Sequence, residues 1–251
     1  SASASVSASA SVSVSASATI LPMLRPTALA CLPLAGCSAP AAAPDAAVAP
    51  DAAVDAGAVW ATYTIAVGAH YATLAGGGPG SPRDGLTELA GRDYRFRFDA
   101  SARYVLTAPV EPNDQLDWNK LPGYSDCGQV DLAMAGAMFG WRWRPDLEVL
   151  ELTAYANADG VHQTVAPPLV ALTGDELAAA TLRYQVHSDG DRYRFSIEGA
   201  AGARSIAATG ELPRGCPAEP ARGLRLAAGL YFGGTSPAPS VITGQILEDP
   251  P

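Results

Sequence analysis

The 251-residue sequence predicts an all-β protein: a single antiparallel β-sandwich of jelly-roll or concanavalin-like type, preceded by disordered amino-terminal segments. Three observations carry the prediction. From Ala58 onward apolar and polar residues alternate, as in Tyr94-Arg95-Phe96-Arg97-Phe98 and Tyr193-Arg194-Phe195-Ser196-Ile197, which is the period of a half-buried strand. Turn-forming clusters interrupt that alternation at short intervals: Arg144-Pro145-Asp146, Asn157-Ala158-Asp159-Gly160 and Ser188-Asp189-Gly190-Asp191. Only 175–180 reads as helix. Many short strands joined by tight turns favour a sandwich, with a closed barrel as the alternative. The expected strands are 60–67, 94–98, 102–106, 139–143, 147–156, 161–165, 181–187, 193–197, 205–208, 224–232 and 241–247.

Upstream of the sandwich the chain divides into three parts. Residues 1–22 open on serine alternating with alanine or valine; lacking large side chains to bury, this stretch is expected to be disordered and to lie before the true start at Met23. Residues 23–36 read as a signal peptide, with Arg25 as its basic end, a short apolar run, and small residues before a cysteine. Leu34-Ala35-Gly36-Cys37 resembles the bacterial lipobox. That resemblance implies cleavage before Cys37, lipid on its sulfur, and, with Ser38 following, a place at the outer membrane of the bacterial cell envelope. Residues 37–57 repeat Pro-Asp-Ala-Ala-Val at 44–48 and 50–54 and read as an extended tether. Residues 58–251 are the predicted domain.

Charge and composition exclude several classes of function. Lys+Arg 16 against Asp+Glu 25 gives a net charge of −9, and the part from Ala58 onward carries −7. A surface of that sign repels a phosphate backbone, so nucleic acid is not an expected partner. No apolar run is long enough for a membrane-spanning helix. Three histidines and four cysteines do not compose a conventional zinc cluster, and the two carboxylates of Ser188-Asp189-Gly190-Asp191 are too few for calcium. No metal and no cofactor is expected. With Cys31 in the signal and Cys37 lipidated, Cys127 and Cys216 remain, both in turn-rich stretches; in an oxidising compartment a bridge is expected, the alternative being two buried free thiols.

The densest polar and aromatic stretch runs from Trp118 to Trp143 and holds three of the four tryptophans and the chain's one lysine, Lys120. Period two puts Phe139, Trp141 and Trp143 on one face, either core or an open platform for a sugar ring. Candidate ligand contacts are therefore Trp118, Lys120, Tyr124, Trp141 and Arg142. Arg142 points away from that face, and Glu148 or Glu151 on the facing strand offers it an ion pair, depending on register.

Asn119-Lys120-Leu121, Gly123-Tyr124-Ser125-Asp126-Cys127, Phe139-Gly140-Trp141-Arg142-Trp143, Pro213-Arg214-Gly215-Cys216 and Tyr231-Phe232-Gly233-Gly234 resemble motifs of an uncharacterised family of secreted bacterial β-sandwich proteins. The resemblance implies the architecture and supports the Cys127–Cys216 bridge; it brings no activity. Gln185-Val186-His187 and Tyr231-Phe232 are also similar to motifs of jelly-roll polysaccharide lyases of the alginate-lyase type. That likeness implies His187 as base, Tyr231 as proton donor and Gln185 at the substrate carboxylate, and it requires His187 and Tyr231 to share a cleft. The sequence departs from the pattern at Gly233, where the motif has lysine, and Arg95 and Arg97 match its arginine-rich strand only loosely. Ser125 lacks a nucleophile elbow and reads as a turn hydroxyl; residues 76–80 match no phosphate loop; His70 and His162 read as turn residues. The expectation is a membrane-tethered extracytoplasmic lipoprotein, a non-catalytic binding module whose partner is a polysaccharide or an envelope protein. A lyase and a purely structural envelope protein are the alternatives.

Overall fold

The computed structural model describes residues 59–74, 84–216, 220 and 222–248, all within the unit Val48–Pro251. The unit Ser1–Ala47 and the rest of the tether lie outside the described residues, and with them the expectations for the leader, Cys31, Cys37 and the loop 76–80.

Among the described residues the alternating segments become strands β1 (Ala61–Ile65), β2 (Ala72–Leu74), β3 (Gly85–Leu89), β4 (Gly91–Phe98), β5 (Asn119–Lys120), β6 (Gly123–Ser125), β7 (Gly136–Arg144), β8 (Val149–Ala158), β9 (Val161–Thr164), β10 (Val170–Thr173), β11 (Ala180–Asp189), β12 (Arg192–Ala201), β13 (Arg204–Pro213), β14 (Gly223–Ala228) and β15 (Ile242–Glu248). They form two antiparallel sheets, not a closed barrel. The seven-stranded sheet runs β13-β12-β11-β4-β15-β1-β2. The eight-stranded sheet runs β10-β8-β7-β6-β14-β3, with β5 added on β7 and β9 on β8. The predicted sandwich is therefore the observed architecture.

The core lies between the sheets. From β4 come Tyr94, Phe96 and Phe98, whose alternation with Asp93, Arg95 and Arg97 leaves the charged residues outside. Facing them, β7 contributes Phe139, Trp141 and Trp143, and β8 contributes Leu150 and Leu152. Phe139 meets Tyr184 and Phe195 edge-on at 5.2 and 5.3 Å, the orientation the ring quadrupoles favour. The platform alternative for Trp141 is thereby corrected: its ring is fully buried because β7 turns it toward the opposing sheet.

The Asn157–Gly160 and Ser188–Asp191 turns join adjacent strands, with Asp159 and Gly160 in the first and Gly190 in the second at positive φ, as tight hairpins demand. Helix α1 (Gly174–Ala179) starts at a capping box in which Thr173 and Glu176 bond each other's backbone N–H. The segment 102–106 is not a strand. Asp99 caps a short 3-10 turn at Ala100–Ala102, and Ala102 and Tyr104 reach the core from a loop. The span 224–232 divides, because β14 ends at Ala228 and Tyr231 pairs separately.

Cys127 and Cys216 are bonded, with a Cα–Cα distance of 5.4 Å, and join the turn after β6 to the segment after β13. Next to the bridge the buried Asp126 carboxylate accepts from Arg214 at 2.6 and 3.0 Å and lies 3.0 Å from Arg225. Burial works to raise the Asp126 carboxyl, but the Arg214 hydrogen bonds and both guanidinium charges hold it below the usual range.

Candidate functional site

Directly opposed residues of antiparallel strands point to the same side of a sheet. Register therefore aligns one row across the eight-stranded sheet and past its edge: Thr153 on β8, Gly140 on β7, Lys120 on β5, then Tyr231, then Tyr71 before β2. The inward neighbours Phe139, Trp141, Asn119, Leu121 and Phe232 are all buried, so the row faces outward. Lys120 and Tyr231 are locked by reciprocal backbone hydrogen bonds, Lys120 N–H to the Tyr231 carbonyl at 2.8 Å and Tyr231 N–H to the Lys120 carbonyl at 3.0 Å. Asn119 fixes the next position, accepting from Gly233 N–H at 2.8 Å while its amide donates to the Tyr104 hydroxyl at 2.9 Å.

Two glycines shape what stands on the row. A Cβ at 140 would meet the Trp118 ring at 3.2 Å, so Gly140 is the floor on which Trp118 lies. A Cβ at 233 would come within 2.0 Å of the Trp118 carbonyl oxygen and 2.8 Å of Lys120 Nζ. Glycine at 233 is what admits the Trp118 carbonyl so close to the backbone. The Arg142 guanidinium caps Trp118, 4.0 Å above its ring, and is tied to Glu151 at 2.7 Å and to the Leu116 carbonyl at 2.7 Å. Register settles the Arg142 partner as Glu151.

The Lys120 ammonium sits 4.9 Å from the Tyr155 ring centre and 5.6 Å from that of Tyr231. Tyr155 stacks on His162 at 6.0 Å. Tyr231 is flanked by Tyr71, edge-on at 4.9 Å, and by His70, stacked at 5.7 Å, whose Nδ1–H donates to the Phe232 carbonyl at 2.8 Å. Burial pulls the Lys120 ammonium down to about 8, against the opposing pull of Asp117. Burial pushes the Tyr155 hydroxyl up to about 12, raises that of Tyr231, and with the charge of Asp114 raises the Asp117 carboxyl. Among the described residues no hydrogen-bond partner meets the Lys120 ammonium or the Tyr155 and Tyr231 hydroxyls, and no carboxylate lies within ion-pair distance of Lys120. The group thus offers one half-buried cation, the Tyr231 hydroxyl and an aromatic rim, with Tyr71 76% exposed and Tyr155 buried.

Of the residues singled out from sequence, Trp118, Lys120, Arg142 and Tyr231 come together here. Tyr124 does not: its ring is fully buried and its hydroxyl lies 3.0 Å from Ser188, so no ligand at the surface reaches it. Trp141 is excluded by the same burial. Gln185 and His187 stand on the outward face of the seven-stranded sheet, in a shallow groove of about 520 Å³ shared with Arg194, Ser196, Thr209 and Glu211. Tyr231 stands on the outward side of the opposing sheet, so the core separates it from His187 and the shared cleft that the lyase motif requires does not form. In that groove Gln185 bonds Asp93 and Ser196, and Arg194 pairs with Asp189 and Glu211, which leaves its charged side chains mutually neutralised. The candidate ligand set Asp126, Cys127 and Cys216 has both its sulfurs in the disulfide. Sequence reading passed over Tyr71, Asp117 and Tyr155 and took His162 for a turn residue; Tyr71, Tyr155 and His162 reach this neighbourhood only through the pairing of distant strands.

No family model and no curated protein matches the chain. Among solved structures it is similar to the alginate lyase of Klebsiella pneumoniae, with 13% identity and a TM-score of 0.42 over 64% of this chain and 58% of that one. The Chlorella virus alginate lyase vAL-1 gives 10% identity and 0.36 over 74% of this chain and 81% of that one. A CBM66 carbohydrate-binding module from Bacillus subtilis gives 10% and 0.28 over 65% and 80%. The chain thus spans little more than half the length of the Klebsiella enzyme. Likenesses this distant carry no argument about what the chain binds or does.

Proposed function

We propose that this β-sandwich is a non-catalytic glycan-binding module whose contact surface is the outward row of the eight-stranded sheet. The observation that carries the reading is the alignment of Lys120, Tyr231 and Tyr71 at the edge of that row, which sets the exposed Tyr71 ring and the half-buried Tyr231 ring beside an ammonium that has no hydrogen-bond partner among the described residues. Sugar rings stack their C–H faces on aromatic rings and satisfy their hydroxyls with fixed polar groups, and this row offers both. The purely structural alternative calls for buried aromatics, and the exposure of Tyr71 speaks against it. The same proposal includes lipidation at Cys37 and a tether over 37–57 that holds the module at the bacterial outer membrane.

The test is calorimetric titration of the purified chain against a panel of neutral and acidic polysaccharides, repeated with Tyr71→Ala and Tyr231→Ala. Saturable binding weakened several-fold by each substitution is the expected result. Absence of binding across the panel, or binding indifferent to both substitutions, would falsify the reading.

A further inference from the structure

We infer that the ligand on this row is an anionic glycan, and that its carboxylate or sulfate group docks on Lys120. The inference rests on the glycan-binding reading and specifies the sugar that the site takes. Its ground is an imbalance of charge at one side chain. An ammonium group drawn partly out of water loses hydration, and proteins ordinarily restore that loss with a carboxylate. The neighbouring cations follow the rule: Arg142 pairs with Glu151 at 2.7 Å, and Arg144 with Asp146 at 2.6 Å and Glu151 at 3.4 Å. Lys120 departs from it, held over two tyrosine rings with no carboxylate in ion-pair range among the described residues.

Backbone passes close beside the ammonium. Gly233 lacks the Cβ that would stand 2.8 Å from Nζ, and the Asn119–Gly233 hydrogen bond keeps the backbone pressed against the lysine. Nothing in the pairing of β5 requires a lysine at 120, since the residue's contacts to Tyr231 in the ladder are made by its backbone. Among the described residues the side chain's own contacts are two ring faces, which attract a cation weakly and leave its three N–H donors without a partner. An anion arriving at Lys120 meets one full charge at the edge of the Tyr231 ring. Asp117, the acid that lowers the local potential, lies outside ion-pair distance; its own carboxyl is raised by burial and by Asp114, and is drawn back down first by Lys120 and then by His162. A sugar hydroxyl satisfies Asp117 as an acceptor while the acidic group sits on Lys120.

The experiment compares three probes on the purified full-length chain: a hexauronate, the same oligosaccharide with its carboxyl groups reduced, and a sulfated neutral hexasaccharide. Affinity at least tenfold higher for a charged probe than for the reduced one is expected, with the carboxylated and sulfated arms identifying which anion the site takes. Lys120→Gln should abolish that preference, bringing the charged and reduced probes to the same affinity, while Lys120→Arg should keep part of it. Because the chain has one lysine, acetylation at 120 mapped by mass spectrometry gives a readout independent of any variant: the preferred anionic probe should protect it and the reduced probe should not. Equal affinity for charged and reduced probes overturns the anion assignment and leaves the glycan reading standing. Binding of none overturns both. Rising absorbance at 235 nm on the hexauronate, lost in Lys120→Gln, keeps the acidic ligand and overturns the non-catalytic reading.

Discussion

Replacing both bridging cysteines, Cys127→Ser with Cys216→Ser, removes a cross-link between residues 89 positions apart. In the chain-entropy description, a closed loop of that length restricts the unfolded ensemble by about 4.5 kcal/mol at 25 °C. That is a large fraction of the roughly 5–15 kcal/mol by which single domains are stable. The serine variant leaves Asp126, Arg214 and Arg225 in place, so the buried charge cluster still organises the same two segments. The loss should therefore come from the unfolded side of the equilibrium. Urea unfolding followed by tryptophan fluorescence reads it directly: with a slope of about 2 kcal/mol per molar urea, the midpoint should fall by roughly 2 M. Dithiothreitol on the native chain should give the same midpoint as the double variant. A fall under about 0.5 M, at an unchanged slope, would refute the reasoning and assign the cohesion of these two segments to the charge cluster.

Two further outcomes follow from the row. The unfolded chain titrates Lys120 near its ordinary 10.5 and the folded chain near 8, so between those values the unfolded state holds more protons and stability rises with pH. Lys120→Met should be more stable than the native chain at pH 7, by roughly 1–3 kcal/mol, with the gap closing by pH 10. A gap constant from pH 7 to 10 would contradict the assignment. Gly233→Ala drives a methyl into the Trp118 carbonyl, a backbone atom that cannot step aside, and should cost about 1–3 kcal/mol and the glycan affinity together. Gly223→Ala, which meets nothing within 4 Å, is the control and should leave the urea midpoint within 0.3 M of the native one.

What the sequence made legible is what depends on local period. Tyr94, Phe96 and Phe98 announce an inward face because alternation is a property of the strand itself, and the long hairpins β7–β8 and β11–β12 follow from turn residues that fix their own register. The short strands β2, β5, β6 and β10 carry too few residues to show a period; they are strands because a neighbour pairs with them. The site is hidden for the same reason. Lys120 and Tyr231 were each conspicuous, yet their adjacency depends on pairing across more than a hundred residues, and Gln185-Val186-His187 drew attention by composition while pointing to the other side of the sandwich. Trp141 and Tyr124 misled in the opposite direction: alternation groups residues by face but does not say which face is the core, and both of these rings lie inside it.

The position of the last strand governs when the molecule can exist at all. β15 pairs with β4 on one side and β1 on the other, so residues 242–248 fill an interior place in the seven-stranded sheet. A chain emerging from its amino end, at a ribosome or through a translocation pore, can close the local hairpins early, but it holds β1 and β4 apart until 242–248 has cleared the exit. Maturation is then a single late event with high contact order, during which two open strand edges must be kept from other chains.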